Sequence, residues 1–245
     1  MLNRIDINAD LGEGSPYDAI LMPLISSCSI ACGGHFGNEK TMRAAVQLAK
    51  KHKVKIGAHP SFPDMENFGR KVLPMTANEL SESVFHQLNS FLSVCESEEV
   101  FVHHIKLHGA LYNYAAIDAP TADAVLEGIL ATQMRSKLYV PYGSVLAKKA
   151  ENLLPLEFEA FIDRQYNDDL SLVSRTEQDA VICTSEGAWH QLKLMIENKE
   201  VETKQKSNKS IIASTFCIHS DTSNAVEILS YIRLKLKQLD IDLFK

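Results

Sequence analysis

The side chains of this sequence that can carry out chemistry collect where its predicted strands end. Six segments finish in Asp, Glu, His, Lys or Arg, several of them beside a Gly. The residues that we predict to form a site are Asn8, Asp10, Glu13, His35, His59, Lys106, His108, Asp163, Arg164, His219 and Asp221. Histidines and carboxylates are natural acids and bases near neutral pH. The set is therefore suited to proton transfer and to the activation of a carbonyl or an amide.

Two further kinds of interaction are open to these residues. Lys106 and Arg164 could hold a substrate carboxylate, and an arginine can do so through paired donors. Asp10, His35 and His59 are the first candidates for a divalent metal, since histidines with an aspartate form known hydrolytic metal sites, and a metal-free site is the alternative. No G-x-S-x-G segment occurs, which disfavours the serine mechanism of α/β-hydrolases.

Short β-rich runs that alternate with amphipathic segments must position these residues. The predicted strands are residues 5–10, 27–33, 55–59, 100–108, 137–141, 157–163 and 211–219. Such alternation is typical of βα units around a parallel sheet. An open doubly wound sheet is disfavoured, because no G-x-G-x-x-G follows the first run and no P-loop occurs. We therefore predict an α/β fold, a seven-stranded parallel (β/α) barrel of TIM-like form, whose strand ends share one mouth.

The segments between the predicted strands have helical periodicity. They are residues 40–52, 78–97, 119–133, 145–153, 186–198 and 224–239. Thr76 and Glu79 form a capping-box signature before the second of them. The polar stretch 200–209 predicts a surface loop.

Strand periodicity predicts which polar residues face the barrel interior, because a barrel strand turns apolar residues toward its helices. The residues predicted to face inward on the first and fourth strands are Asp6, Asn8, Asp10, His104, Lys106 and His108. Unpaired charges inside a barrel are strongly destabilising. These groups must therefore pair, bind a metal or line a wet cavity. For Asp163 and Arg164, a structural ion pair is an equal alternative to a role in the site.

Composition limits the classes of partner. The chain has 245 residues, 45% of them hydrophobic, which suits one large core, and we predict a single domain over residues 1–245. A net charge of −6 with interspersed signs gives no footprint for nucleic acid or an anionic membrane. No apolar run approaches the roughly 20 residues that span a bilayer. We expect small molecules or proteins as partners.

The five cysteines are scattered and odd in number, which argues against a disulfide framework and predicts a reducing, cytoplasmic compartment. Cys28, Cys32 and His35 have a spacing similar to that of zinc ligands. A structural zinc site needs four ligands, however, and no second pair of cysteines at this spacing occurs. We interpret the cysteines as small buried apolar residues.

Eight collinear blocks carry a resemblance to a known family. They are INADLGEG at 7–14, IACGGH at 30–35, IGAHP at 56–60, FGR at 68–70, HIKLHGALYN at 104–113, DRQY at 163–166, LVSR at 172–175 and CIHSD at 217–221. In these blocks the sequence resembles the LamB/YcsF family over nearly its whole length. Residues that differ from the usual family pattern near the mouth are Phe36, Asn38, Leu107 and Ser220.

The resemblance implies a barrel similar to those of carbohydrate deacetylases and related glycoside hydrolases. It also implies the role of the A subunit in an ATP-dependent 5-oxoprolinase, which acts with subunits B and C. This enzyme hydrolyses the lactam of 5-oxoproline (pyroglutamate) to L-glutamate. ATP with Mg2+ is the expected cofactor, and the missing P-loop is compatible with ATP binding at an unrelated surface or at a subunit interface.

We expect two groups of roles for the site residues. Catalytic roles are expected for Asp10, His59, His108 and Asp163. Substrate-binding roles are expected for Asn8, Glu13, His35, Lys106, Arg164, His219 and Asp221. One alternative function is a metal-dependent carbohydrate deacetylase or other amidohydrolase, and another is a non-catalytic binding subunit of a larger complex.

Overall fold

The computed structural model describes residues 4–244, and its centre is a closed ring of parallel strands. The strands in chain order are β1 (Arg4–Leu11), β2 (Ser27–Ala31), β3 (Lys55–His59), β4 (His104–Lys106), β5 (Lys137–Pro141), β6 (Leu156–Phe161), β7 (Glu200–Glu202), β8 (Asn208–Ser210), β9 (Thr215–His219) and β10 (Asp242–Leu243). Strands β1 to β6 pair in sequence, β6 pairs with β9, and β9 pairs with β1. The predicted seven-stranded parallel barrel is confirmed.

Helices surround the ring. They are α1 (Asp18–Leu21), α2 (Glu39–His52), α3 (Ala77–Ser97), α4 (Gly109–Ala115), α5 (Ala119–Ala131), α6 (Val145–Ala150), α7 (Ser185–Asn198) and α8 (Ala225–Gln238), with a 3-10 turn at Met22–Leu24. The six predicted helices are confirmed, with small differences at their ends. The predicted capping box is also present, since Thr76 Oγ1 accepts from the Glu79 amide and the Glu79 carboxylate accepts from the Thr76 amide. None of the described helices is long and apolar enough to cross a bilayer.

Strand β1 shows how the ring separates its two faces. Ile7 and its outward-facing neighbours are buried in the hydrophobic core. Asp6 faces inward and accepts hydrogen bonds from Ser27 and Thr215 of the strands on either side. Asn8 donates to Glu159 of β6 at 2.9 Å. The predicted inward face of this strand is therefore confirmed.

Four predicted strands run past the observed ones. Those at 27–33, 100–108 and 157–163 end two residues too late, and those at 100–108 and 211–219 begin four residues too early. Residues 100–103 and 211–214 lie outside β4 and β9, although their composition resembles that of a strand. Phe101 is 94% exposed, so its apolar character does not reflect burial in the barrel.

The predicted loop at 200–209 is wrong. Glu200 pairs with Ser210 and Glu202 with Asn208 in an antiparallel hairpin formed by β7 and β8. Its central residue, Val201, is completely buried. One buried residue in a polar stretch gives no alternating pattern, which is why the sequence does not reveal this hairpin.

Candidate active site

A cavity of about 310 Å³ opens where the barrel strands end, as expected for a βα barrel. Seven of the predicted site residues line it, namely Asp10, Glu13, Lys106, His108, Arg164, His219 and Asp221. The other four contact these residues from behind: Asn8 lies beside Lys106, His35 beside Glu13, His59 beside Asp10 and Asp163 beside His219. The structure thus brings all eleven residues together at one rim of the barrel.

Lys106 is the cation at the floor of the cavity, and only 1% of it is exposed. Its Nζ has four acceptors within reach: Glu159 Oε1 at 2.8 Å, Asp10 Oδ1 at 2.9 Å, Cys217 Sγ at 3.0 Å and Asn8 Oδ1 at 3.2 Å. An ammonium group has three hydrogens. All three hydrogens have partners inside the barrel. The geometry therefore favours a role for Lys106 in holding Asp10 in place over a role in binding a substrate carboxylate.

Asp10 is held in its ionised form by its neighbours. Burial alone would raise the pKa of this carboxyl, but the charges of His59 and Lys106 outweigh burial and hold the pKa well below its usual value. His59 Nε2 lies 3.4 Å from Asp10 Oδ2. Burial would lower the pKa of His59, and the charge of Asp10 raises it instead. The pair therefore combines a carboxylate with an imidazole that readily holds a proton.

His59 and His108 face each other with the ring nitrogens that do not bond a backbone carbonyl. His59 Nδ1 donates to the carbonyl oxygen of Lys106 at 2.8 Å, and His108 Nε2 donates to that of Phe68 at 2.9 Å. The remaining nitrogens, His59 Nε2 and His108 Nδ1, are 3.0 Å apart. Glu13 Oε1 lies 3.3 Å from the latter. If both rings are neutral, two lone pairs and a carboxylate point at one position, which suits a shared proton or a divalent cation.

Among the residues that the structure describes, two groups could hold a metal, Asp10 with Cys217 and His219, and Glu13 with His59 and His108, and neither is the predicted trio. The ligand atoms of Glu13, His59 and His108 all lie within 4.8 Å of one another. His35, which we expected as a ligand, instead bonds Glu13 Oε1 through Nε2 at 2.9 Å and stacks on His108 at 3.7 Å. Burial lowers the pKa of His35 to about 4, so it is neutral and donates to Glu13.

His219 is oriented by Asp163. Its Nδ1 lies 3.1 Å from both carboxylate oxygens, and its backbone amide donates to Asp163 Oδ2 at 2.9 Å. Thr222 donates a further hydrogen bond to the same carboxylate. Burial would raise the pKa of Asp163, but its contacts with His219 and Thr222 lower it. Nδ1 is thereby committed to Asp163, and Nε2 is left as the nitrogen available to the cavity.

Arg164 does not take Asp163 as its hydrogen-bond partner, contrary to the ion-pair alternative. Its guanidinium donates to the carbonyl oxygens of Val173 and Ala180. These two carbonyls belong to the segment between β6 and α7. Arg164 therefore braces the loop that covers one side of the cavity.

A model of the LamB/YcsF family matches residues 5–245. This chain belongs to the LamB/YcsF family. It is 40% identical over 247 residues to the A subunit of 5-oxoprolinase from Staphylococcus haemolyticus strain JCSC1435, covering 98% of each chain. It also matches the crystal structure of the lactam utilization protein from Thermus thermophilus, with a TM-score of 0.90 and 33% identity over 98% of this chain and 99% of that one.

The LamB/YcsF barrel is also similar to a deacetylase-like fold. A mutant of a CE4 family pseudoenzyme from Bacillus anthracis matches with a TM-score of 0.51 and 11% identity, over 99% of this chain and 65% of that one. At this identity the likeness shows the fold alone. It agrees with the predicted similarity to deacetylase barrels.

Four residues of the LamB/YcsF site are absent from our sequence prediction. Glu159 contacts Lys106 and is completely enclosed, and its Oε2 has no hydrogen-bond partner. The buried hydroxyl of Tyr112 lines the cavity beside this carboxylate, and burial together with the charge of Glu159 holds the pKa of Tyr112 well above its usual value. Arg70 and Arg175 line the mouth. Both arginines fall inside the family blocks FGR and LVSR, which is the signal that could have identified them.

Proposed function

We propose that this chain is the A subunit of an ATP-dependent 5-oxoprolinase and opens the lactam of 5-oxoproline to give L-glutamate. The observation that carries the proposal is the pairing of two groups in one small cavity. Asp10, an ionised carboxylate, and His219, an imidazole oriented by a second carboxylate, have polar atoms within 4.8 Å of each other. The names of the relatives at 40% and 33% identity supply the substrate class.

His219 is the general base of this proposal. A water molecule between His219 Nε2 and Asp10 loses its proton to Nε2 as it attacks the lactam carbonyl. Asp163 keeps the imidazole in the required tautomer and stabilises the imidazolium that forms. Asp163 is thus a positioning residue here, whereas we expected a catalytic role from the sequence.

The pair of His59 and His108, next to Asp10 and Glu13, supplies a proton for the leaving nitrogen. His59 Nε2 and His108 Nδ1 share one proton across 3.0 Å, next to Glu13. Ring opening converts an amide nitrogen into an amine, which needs this proton. Lys106 keeps Asp10 ionised and fixed throughout, because its ammonium group is enclosed among acceptors.

ATP and the partner subunits B and C belong to the same proposal. An unstrained five-membered amide resists hydrolysis, and ATP supplies the free energy that activates its oxygen. The cavity lies at the lower end of the range of roughly 300–1,000 Å³ that small-molecule sites occupy. It suits a single-ring substrate, so ATP with Mg2+ would bind toward the mouth or at a subunit contact. We place the complex in the cytoplasm.

The second candidate function is a metal-dependent amidohydrolase. Glu13, His59 and His108 favour it, because with both rings neutral two imidazole lone pairs and a carboxylate oxygen converge on one position. A divalent ion held there would polarise the scissile carbonyl. In that case turnover would need the metal and would not need ATP.

The deciding experiment measures L-glutamate release from 5-oxoproline by the chain assembled with subunits B and C. We expect turnover that depends on ATP and falls at least about 100-fold in Asp10→Asn and His219→Asn. Arg43→Gln is the matched control, because Arg43 of α2 pairs with Glu98 at the end of α3 and neither residue lines the cavity. Full turnover by the two site variants, or turnover with metal and without ATP, would refute the first proposal.

A further inference from the structure

Arginines from different loops meet at the mouth of the cavity. Arg70 follows β3, and Arg164 and Arg175 follow β6, and all three line the same cavity. We propose that Arg70 and Arg175 form an oxyanion-binding site for a carboxylate or a phosphate. In the free protein, the carboxylate of Asp221 occupies this site as an internal substitute for the ligand.

The contacts of Asp221 have the form of anion recognition. Arg175 Nη1 lies 3.2 Å from Asp221 Oδ2 and 3.4 Å from Oδ1, and Arg175 Nη2 lies 3.4 Å from Oδ1. Arg70 Nη2 donates to Oδ2 as well. One carboxylate thus receives donors from two guanidinium groups. The planar fork of arginine matches carboxylate and phosphate oxygens in this way.

Asp221 is outnumbered by the arginines that contact it. Two arginines share the single negative charge of Asp221. Arg164, buried beside them, directs its own hydrogen bonds to backbone carbonyl oxygens. Burial lowers the pKa of Arg164, and the nearby charge of Arg175 lowers it further. The carboxylates of Asp163 and Asp221 also act on Arg164. The positive charge is therefore confined to the two guanidinium groups around Asp221, which is where an incoming anion would be attracted.

Arg164 also holds in place the loop that carries Arg175. Its guanidinium bonds the carbonyl oxygens of Val173 and Ala180, which flank Arg175 in the same loop. The backbone that carries Arg175 is therefore held by a buried neighbour as well as by the contact with Asp221. A ligand that replaces Asp221 would meet a site that is already formed.

Asp221 has both the freedom and the space to move. The side chains of Arg70 and Asp221 are 43% and 37% exposed, and ion pairs this exposed contribute little to stability. Asp221 also lines a second cavity of about 650 Å³, formed with residues 13–17 and with the start of α8. The carboxylate can therefore rotate away from the arginines without opening the barrel.

Two kinds of ligand could supply the anion that binds Arg70 and Arg175. For 5-oxoproline the anion is the carboxylate on the ring, and this assignment rests on the proposed function. For a nucleotide the anion is a phosphate. Both need the paired guanidinium donors, so the same residues are tested with either ligand.

Calorimetric titration of the full-length chain, alone and assembled with its partner subunits, separates these sources. The ligands are 5-oxoproline, 2-pyrrolidinone, inorganic phosphate and ATP with Mg2+. 2-Pyrrolidinone has the same lactam ring without the carboxylate. The variants are Arg70→Gln, Arg175→Gln, Arg175→Lys and Asp221→Asn, with Arg43→Gln as the control arginine in an ion pair outside the cavity. Thermal unfolding shows which variants retain the fold.

We expect the affinity for the anionic ligand to fall about tenfold or more in Arg175→Gln and Arg70→Gln. Arg175→Lys should regain only part of it, because lysine lacks the paired donors. Asp221→Asn should bind the anion more tightly than the wild-type chain, since the internal competitor is gone. 2-Pyrrolidinone should bind all variants equally.

The outcomes distinguish this proposal from the proposed function. Phosphate or ATP binding that depends on the arginines, without binding of 5-oxoproline, supports the anion site and contradicts the proposed substrate. Turnover of 5-oxoproline with wild-type affinities in every arginine variant overturns the anion site and leaves the proposed function intact. Weaker anion binding in Asp221→Asn, or no anion binding by the wild-type chain in either form, also overturns it.

Discussion

Lys106 Nζ lies 2.9 Å from Oδ1 of Asp10 inside the closed ring, and both residues are almost fully buried. Glu159 completes the group at 2.8 Å from the same ammonium. Removing one partner of a buried ion pair leaves an uncompensated charge in the protein interior, which is strongly destabilising. The contact therefore couples the stability of the barrel to the ionisation of its site.

Lys106→Met tests this coupling. We expect a loss of about 3–5 kcal/mol in the free energy of unfolding, because Asp10 and Glu159 are left without their cation. Urea unfolding at neutral pH measures it. Lys149→Met is the control, since Lys149 pairs with the exposed Asp123 and should change stability by less than about 1 kcal/mol. Equal stability of the two variants would contradict a structural role for the buried pair.

Asp163→Asn tests whether Asp163 orients the His219 imidazole or binds the substrate. An asparagine of the same shape cannot enforce the tautomer that leaves His219 Nε2 free, so we expect kcat to fall about 100-fold or more with little change in KM. Thr222→Ala removes one of the hydrogen bonds to Asp163 and should have a much smaller effect. The measurement is steady-state turnover of 5-oxoproline by the assembled complex. A large rise in KM with kcat retained would instead assign Asp163 to substrate binding.

His35 should make the protein less stable in mild acid. Burial lowers the pKa of His35 to about 4, while the unfolded chain titrates near 6.5. The unfolded state binds more protons between these values, so the contribution of this group to stability is lost as the pH falls from about 6.5 to about 4.

The variant His35→Gln keeps a donor for Glu13 and removes the titration. We expect the slope of unfolding free energy against pH in this window to decrease by up to about 1.4 kcal/mol per pH unit, the value for one proton. Ser90→Ala, at an exposed position of α3 that carries no titrating group, should leave the slope unchanged. Unfolding curves between pH 4 and 7 decide the matter, and identical slopes in His35→Gln and the wild-type chain would disprove the assignment.

Metal titration tests the second candidate function without an activity assay. If that function is correct, the chain binds one zinc ion, and Glu13→Gln and His59→Asn each weaken binding about tenfold or more in competition with a chelator. His86→Gln, on a surface position of α3, should bind like the wild type. Equal affinity of all four proteins would exclude Glu13 and His59 as ligands.

The sequence predicts the polar inner face of the barrel well, because alternation along a strand is a local property. Asp10 and Lys106 could be placed on the inner faces of their strands from the neighbouring apolar residues alone. Alternation with Phe158 and Ala160 would also place Glu159 on the inner face of β6, but its contact with Lys106 could not be predicted, because the lysine reaches it from another strand. This contact joins two strands of the ring, so the spacing of residues along the chain does not predict it.

The details of the histidine cluster were equally beyond sequence reasoning. We expected Asp10 and His35 to join His59 in a metal site, whereas Glu13 and His108 are the residues grouped with His59. The orientation of the two rings is set by backbone carbonyl groups. His59 Nδ1 bonds the carbonyl oxygen of Lys106 and His108 Nε2 bonds that of Phe68, which leaves His59 Nε2 and His108 Nδ1 facing each other. Backbone positions of this kind depend on the folded loops and not on residue type.

The pairing of β1 with β9 has a consequence for how the chain acquires its site during synthesis. Asp10 lies directly beside His219 in this pairing, although 209 positions of sequence separate them. A growing chain thus carries its acidic inner strand for most of translation with one edge unmatched, and contacts this distant in sequence form slowly. Until the ribosome has passed residue 219, the nascent barrel has neither a closed wall nor a reactive face. Premature release would therefore yield an inert fragment with an exposed strand edge, a form prone to aggregation.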